Sequence, residues 1–536
     1  MQEALISDAG EGKEKRRGFY VAGMPLWAIV FLVLTAVVSL AIGHYSLING
    51  DDILEIWSDR AGSLGQVWHI QRTSPLVIDP FFYHGLTFFG IRVFGIRPFF
   101  LRLPSLLGFM VMQVCLFYFV RRIASVQAAV FALAFPMVTG GFLYTVEVRP
   151  YGVLLGLFGL AMLSWQTASR RDEHRSLALV MLALSIAAAI NSQYYGVLLM
   201  LPLCAGEAVR ILKRRRPDKP MLLSLCTGLA GMVFLFPFMK GAAEFRAHYK
   251  AGNVPYQSIT QTYNFLVLGQ STFSQEINHL LAILLGFLVV LVFWGCIRLR
   301  QSQGARLPDS EFAFLLTLAG LPAFAFLLGH FVTHAMESRY AIGALLGISV
   351  LLSIALAPVL RNRIARSIVF AALLAWFGWN GMVVIRESRE YWDRALASMV
   401  ITPQVMAAIM ASPTQMLYTQ DIDLVGFLAF HDANANVLRH VALVYSVDEE
   451  MRWNHSETDS RIVENLKSFT PYTILPYESV MKQPVGSVFV LTHGGWNWMD
   501  KAFASGQVPT EPVGEAFGGE VVRGVHPPGS QRQLVP

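Results

Sequence analysis

The sequence predicts a polytopic α-helical membrane protein of about eleven transmembrane helices, followed by a small C-terminal α/β soluble domain. Three observations carry this reading. Hydrophobic residues make up 54% of the chain and charged residues 15%, with a mean hydropathy of +0.48; a soluble domain is nearer ~25% charged. Apolar runs close to the ~20 residues needed to cross a bilayer recur along residues 22–386. Short clusters of Lys and Arg follow every second run, the mark of cytoplasmic loops.

Within residues 1–21, Lys13, Lys15, Arg16 and Arg17 stand just before the first span. The first run, 22–44, is too long for the apolar region of a signal peptide and has no evident small-residue cleavage site. Further spans are predicted near 101–120, 124–143, 150–168, 176–191, 195–212, 221–239, 278–297, 311–330, 340–359 and 367–386. Asn191 to Tyr195 must serve as a very short turn between the fifth and sixth. Arg121–Arg122, Arg170, Arg171 and Arg175, Lys213 to Arg216, Arg298, Arg300 and Arg306, and Arg361, Arg363 and Arg366 mark alternate connections. The positive-inside rule then puts the N-terminus in the cytoplasm. An odd span count puts the connection 45–100 and everything beyond about 387 on the outer face.

The connection 45–100 carries Leu54, Trp57, Leu64, Val67 and Trp68 at near-helical spacing, then Phe81, Phe82, Leu86, Phe89 and Phe94. This predicts two amphipathic helices in the interface. A transmembrane helix over 76–96 is the alternative, disfavoured by Asp79, Pro80, His84 and Arg92. From 387 to 536 the composition becomes that of a soluble domain. Strands are expected around 416–418, 441–445 and 487–491, with helices around 400–411, 421–431 and 459–467 alternating with them. Thr492-His493-Gly494-Gly495-Trp496 lacks the spacing of a phosphate-binding loop and reads as a turn. Asn454-His455-Ser456 fits a glycosylation sequon.

The composition excludes other classes. The four cysteines, Cys115, Cys204, Cys226 and Cys296, lie in or beside apolar runs without metal spacing and read as small hydrophobes. The net charge of +6 comes from clusters between spans and does not suggest nucleic acid. Lys240, Arg246 and Lys250 suit lipid headgroups. His330 and His334 stand at helical spacing without a clear carboxylate, so a structural role is favoured over metal ligation. No cofactor is called for, and a divalent metal is left open.

Three places on the predicted outer face hold polar residues where lipid makes them costly. Asn49-Gly50-Asp51-Asp52 closes the first span, Glu147-Val148-Arg149-Pro150-Tyr151-Gly152 joins the third and fourth, and His334 to Tyr340 opens the tenth. A carboxylate can act as general base toward a hydroxyl or amine, and an arginine at a helix mouth can hold a phosphate bidentately. The alternatives are plainer: a solvated helix cap for Asp51 and Asp52, an internal Glu147–Arg149 pair, and an interfacial anchor for Arg339.

The order of these residues carries a resemblance. An acidic pair after the first span is followed by Pro75-Leu76, Phe94-Gly95 and Leu101-Arg102-Leu103-Pro104-Ser105, then Glu147-x-Arg149-Pro150-Tyr151 and a late Arg339-Tyr340. Over roughly residues 20–345 the chain resembles the polyprenyl-phosphate-dependent GT-C glycosyltransferases, the group that includes protein O-mannosyltransferases, aminoarabinose transferases and lipopolysaccharide-modifying sugar transferases. The resemblance implies a GT-C-like transmembrane domain over 22–386 and an outer-face domain over 387–536. It implies transfer of a sugar, with inversion, from a polyprenyl-phosphate donor to a lipid, glycan or protein acceptor at the outer face of the inner (plasma) membrane. The family's catalytic base maps to Asp51; Asp52 stands where the family has Glu, so the resemblance leaves either carboxylate, Asp51 or Asp52, as the base. Arg149 and Arg339 are the expected phosphate ligands, with Glu147, Tyr151 and Tyr340 in support. The competing readings are a transporter or flippase, which predicts related halves and broken midplane segments that are not visible, and a membrane anchor, which hardly needs so many spans.

Overall fold

The computed structural model describes residues 20–21, 23–48, 50–170, 173–248, 254–269, 307–398, 401–411, 415–430, 435–492, 497–506 and 508–525. Eight of its helices are long and apolar enough to cross a membrane, or up to nine counting the bent pair Asp309–Ala319 and Leu321–Thr333. The predicted span 278–297 lies outside the described residues. The predicted third span is shorter than expected: 126–138 is apolar, but Pro136 and the Gly140–Gly141 pair turn it into 3-10 segments over Phe135–Val138 and Gly140–Thr145.

Helix α1 (Leu26–Tyr45) is uncharged but for His44 in its last turn, as a lipid-facing span requires. The connection that follows holds three helices rather than two: α2 (Asp51–Asp59), α3 (Leu64–Thr73) and α4 (Phe81–Phe94). Ser63 starts α3 by accepting from Gln66 N, and Ser74-Pro75 stops it, so one predicted amphipathic stretch becomes two pieces. At 14 residues α4 is too short to span. Gly50 turns the chain into α2 with φ 51° and ψ −128°, a conformation that side chains exclude.

Helix α5 (Pro98–Arg121) begins with proline, tolerated there because the first N–H of a helix is unpaired anyway. It leads through α6 (Val126–Ala134) to α7 (Tyr151–Arg170). Glycines bring α5 and α7 into backbone contact. A Cβ at Gly152 would lie 2.4 Å from Ser105 O, one at Gly108 2.4 Å from Gly152 O, and one at Gly156 2.6 Å from Gly108 O. Such small-residue contacts replace the hydrophobic drive that lipid does not supply. They also lock the start of α7 against the Arg102 turn of α5. Helix α8 (Arg175–Ser192) and α9 (Met200–Arg214) are joined through Gln193 and a 3-10 turn, the tight reversal the sequence requires. At the opposite end of the bundle, Arg170 pairs with Glu311 (2.9 Å) and Arg175 with Asp218 (2.6 Å), so part of the basic clustering is spent on ion pairs.

Beyond the last span, 363–394, a six-stranded sheet forms. Four strands are parallel: β3 (Leu417–Thr419), β4 (Val441–Tyr445), β5 (Thr473–Pro476) and β6 (Val488–Leu491). Strands β7 (Thr510–Ala516) and β8 (Gly519–Gly524) add an antiparallel hairpin in the order β5-β4-β3-β6-β8-β7. At the N-terminal end, β1 (Tyr20–Val21) pairs antiparallel with β2 (Met24–Pro25) in a short hairpin. Helices Pro403–Met410, Ile422–Phe430 and Thr458–Leu466 fall where expected. The turn expected at residues 493–496 lies outside the described residues, as do Lys250 and the side chain of Arg246.

The apolar face of α2 is part of the sheet unit's core. Ile53, Ile56 and Trp57 are buried with Val425 and Leu428, and the Trp57 ring lies 5.7 Å from Phe430 and 5.9 Å from Tyr472. Gly50 N donates to Asp423 Oδ1 at 2.8 Å, and Asn465 Nδ2 to Pro75 O at 3.1 Å. The sheet therefore holds the helix that bears the acidic pair.

Gly152→Leu forces α5 and α7 apart at the mouth of the site. Overpacking of this kind costs ~1–3 kcal/mol or more. The thermal unfolding midpoint of the purified protein in detergent is expected to fall well below that of Leu107→Ala, an exposed position on α5; equal midpoints would show that the helices are not in contact there.

Candidate active site

The acidic pair opens α2, and its two members have different surroundings. The Asp51 side chain is 53% exposed and lies with Oδ2 3.1 Å from Arg149 Nη1. Asp52 is buried: Oδ1 accepts from Val148 N at 3.0 Å, and Oδ2 lies 3.6 Å from Arg102 Nη2. Burial pushes its carboxyl up to about 6, against the pull of Arg102, Arg149 and the Val148 amide. Asp52 is thus a strut between α2 and the 146–149 turn, and Asp51 faces the opening.

Arg102 fixes this corner. It donates to the carbonyls of Gly43 (3.3 Å), Leu47 (2.9 Å), Pro98 (3.2 Å) and Val146, so one buried guanidinium gathers the end of α1, the start of α5 and the turn before α7. The sequence motif contained Arg102 but assigned it no role.

Arg149 is buried between two carboxylates. Nη1 meets Asp51, and Nη2 lies 3.8 Å from Asp79 Oδ2. Burial opposes its charge, but Asp79 and Asp51 outweigh that and hold it charged. Asp79 in turn accepts from Gln193 Nε2 at 2.9 Å, and the same amide lies 3.4 Å from Tyr151 OH. Neither Asp79 nor Gln193 was singled out by sequence. A lone loop acid and a turn amide carry no motif, and only the fold brings them together. The alternative of an internal Glu147–Arg149 pair gives way to the Asp51 and Asp79 pairs. Glu147 stays half-buried, its carboxyl pushed up to about 7 by burial and by Asp52.

Arg339 approaches from the turn before helix Ala344–Arg361. Its guanidinium lies 5.8 Å from the Tyr151 ring centroid, and that of Arg149 lies 5.9 Å from the same centroid. Tyr340 stacks on Tyr195 at 4.3 Å, and Tyr195 OH is held by Thr333 (2.7 Å) and Ala335 O (3.1 Å). Arg339 Nε is buried without a hydrogen-bond partner among the described residues. The structure thus brings Asp51, Asp52, Glu147, Arg149, Tyr151, Arg339 and Tyr340 to one end of the bundle. Two guanidinium groups share one aromatic ring beside an accessible carboxylate, an arrangement that can hold an anion and accept a proton.

Residues 79–239 match the family model described as dolichyl-phosphate-mannose-protein mannosyltransferase, a segment that includes Asp79, Arg102, Arg149 and Gln193. No curated protein sequence matches the chain. Among solved structures, ArnT from Cupriavidus metallidurans is similar in its apo state at 15% identity and a TM-score of 0.60, covering 92% of this chain and 97% of that one. ArnT bound to undecaprenyl phosphate matches at 14% identity and 0.57 with the same coverage. The Archaeoglobus fulgidus oligosaccharyltransferase matches at 12% identity and 0.42, covering 84% of this chain and 68% of that one. The resemblance to the polyprenyl-phosphate-dependent GT-C glycosyltransferases drawn from the sequence is borne out, by the family segment and by the ArnT-like fold of a multi-pass membrane protein.

The raised Asp52 carboxyl has a pH consequence. The stability its neutral form contributes is present in full below about 3.8 and is lost as pH rises through about 6. Asp52→Asn removes that loss while keeping an acceptor for Val148 N. Relative to the parent, the variant is expected to gain about 2 kcal/mol between pH 4 and pH 8. Unfolding midpoints measured across that range check this, and parallel profiles for the two proteins would contradict it.

Proposed function

We propose that this chain is an integral membrane glycosyltransferase that moves a sugar from a polyprenyl-phosphate donor to a lipid, glycan or protein acceptor. The observation that carries it is the pair of guanidinium groups, Arg149 and Arg339, held over one tyrosine ring beside the half-exposed Asp51. A phosphate leaving group needs charge stabilisation more than protonation, and arginines supply it. In support, the matching structure of ArnT holds undecaprenyl phosphate.

The reaction is a single displacement. The acceptor oxygen or nitrogen bonds to the anomeric carbon as the bond to the phosphate oxygen breaks, which inverts that centre. The acceptor proton passes to Asp51, and the polyprenyl phosphate leaves onto Arg149 and Arg339. A phosphate that draws the Arg149 fork toward itself also loosens the Arg149–Asp51 pair, freeing the carboxylate to act as base. Asp52, buried and tied to Val148 N and Arg102, holds the turn in place. Tyr151 and Tyr340 stack beneath the guanidinium groups, and Glu147 tunes the local charge. The reading places this end of the bundle and the sheet unit, as a domain over 387–536, on the outer face of the inner (plasma) membrane. The N-terminus, 1–21, is then cytoplasmic and the transmembrane domain covers 22–386.

Asp51→Asn keeps the shape of the residue and removes the proton-accepting charge. Loss of general-base assistance is expected to slow transfer by ~10²–10⁴-fold, with donor binding retained or tighter because Asn no longer competes for Arg149. Arg149→Ala and Arg339→Ala are expected to weaken donor binding as well. The assay is sugar transfer from a polyprenyl-phosphate donor in liposomes, with donor binding followed separately. Transfer at the parent rate by Asp51→Asn would rule out this base.

Reporter fusions test the orientation. Those after residue 55 and after residue 390 are expected to read as external, and one after 214 as cytoplasmic. A cytoplasmic reading at 390 would put the sheet on the wrong side.

A further inference from the structure

Beyond the acidic pair, α2 carries two more carboxylates at i and i+4 spacing, Glu55 and Asp59, which share a face of the helix. Both are buried, and so is His84 of α4, which points at them. His84 Nδ1 lies 3.0 Å from Glu55 Oε2 and 2.9 Å from Asp59 Oδ1. One ligand atom from each residue can be chosen so that all three lie within 4.8 Å of one another. Among the described residues this is the one cluster of metal-ligating groups; His330 and His334 form none.

The internal bonding of the cluster leaves it incomplete. A single ring nitrogen can serve one carboxylate, and here Nδ1 meets Asp59, with Gln71 Nε2 3.3 Å from the same nitrogen. Glu55 Oε1 and Oε2, Asp59 Oδ2 and His84 Nε2 are buried with no hydrogen-bond partner among the described residues. A buried polar atom without a partner costs ~1–3 kcal/mol, and more when it is charged. A divalent cation balances two carboxylates beside a neutral imidazole and gives the Glu55 oxygens a partner.

We propose that Glu55, Asp59 and His84 bind one divalent transition-metal ion, with Zn²⁺ the best fit and Mn²⁺ an alternative of the same ligand class. One imidazole nitrogen and two carboxylate oxygens suit borderline Zn²⁺, and harder Mn²⁺ through the carboxylates, better than Mg²⁺ or Ca²⁺, which prefer all-oxygen sets. Binding releases the Nδ1 proton to solvent, since a ligating imidazole must be neutral at that atom. The ion cross-links α2 to α4. It sits on the helix whose first turn presents Asp51, so its role is positional, and it does not touch the reacting atoms. The site stands on its own geometry and does not depend on the nature of the transferred group.

The test uses the full chain, purified in detergent through an affinity tag free of histidine, stripped with chelator and exchanged into ZnCl₂ or MnCl₂. The parent is expected to retain one equivalent of metal after desalting, measured by elemental mass spectrometry, and to show a raised unfolding midpoint. Glu55→Gln/Asp59→Asn and His84→Gln are expected to lose both. If the variants do not fold, X-ray absorption at the zinc edge of the parent decides the matter. A first shell of one imidazole nitrogen with oxygens supports the site, and a shell with sulfur or several imidazoles overturns it. A parent that takes up no equivalent, or variants that bind as the parent does, would show that the cluster is a buried ion triad only.

Discussion

The architecture of the site depends on the burial of Arg149. A guanidinium taken out of water is tolerated only where carboxylates and polar groups replace its hydration, and Arg149 has Asp51 on one side and Asp79 on the other. These partners come from separate parts of the chain: the first turn of α2 and the segment before α4. Through Gln193 the Asp79 carboxylate also reaches the turn after α8. One buried cation therefore draws four segments to the same point. It leaves one carboxylate oxygen of Asp51 paired at the opening, where a competing phosphate can take the arginine from it.

Arg102 does the complementary work with backbone groups. Its donors go chiefly to carbonyls at the ends of α1, α5 and the 146–149 turn, and Asp52 closes the set. The glycine contacts between α5 and α7 then keep the two arginine-bearing segments at a fixed distance. Helix α2 is held from the other side by the sheet unit, where Ile53 packs so closely on Gly426 that a Cβ there would lie 2.5 Å from the Ile53 side chain. A helix of nine residues has little stability of its own in water. Its order comes from the membrane bundle beneath it and the sheet above it.

How much of this could be read in advance follows from how local each signal is. Spans were readable because lipid demands long apolar runs; the run 124–143 is a regular helix only in its first part, because Pro136 and Gly140–Gly141 break a helix that composition alone would continue. In the sheet unit, the compact apolar strands β3, β4 and β6 stood out. Strand β7 did not, because Pro512 and Gly514 interrupt it at a bulge on the sheet edge. Asp51, Asp52, Arg149 and Arg339 were visible as charges at span ends. Asp79 and His84 were noticed only as residues that argue against a membrane helix, and Gln193 only as part of a turn. Their roles rest on contacts across tens to hundreds of residues of chain, which no local pattern encodes. Glu55 and Asp59 had a readable sign in their helical spacing, but without His84 nothing set them apart from a solvated helix face.

The central claim is that Arg149 and Asp79 act as one unit that sets the phosphate-binding arm of the site. A double-mutant cycle measures it directly, with Asp79→Asn, Arg149→Gln and both together, read in donor affinity and in transfer rate. If the account is right, each single change weakens donor binding and the double variant is little worse than Arg149→Gln alone, because Asp79 acts through the arginine. Additive losses, or donor binding unaffected by Asp79→Asn, would contradict it.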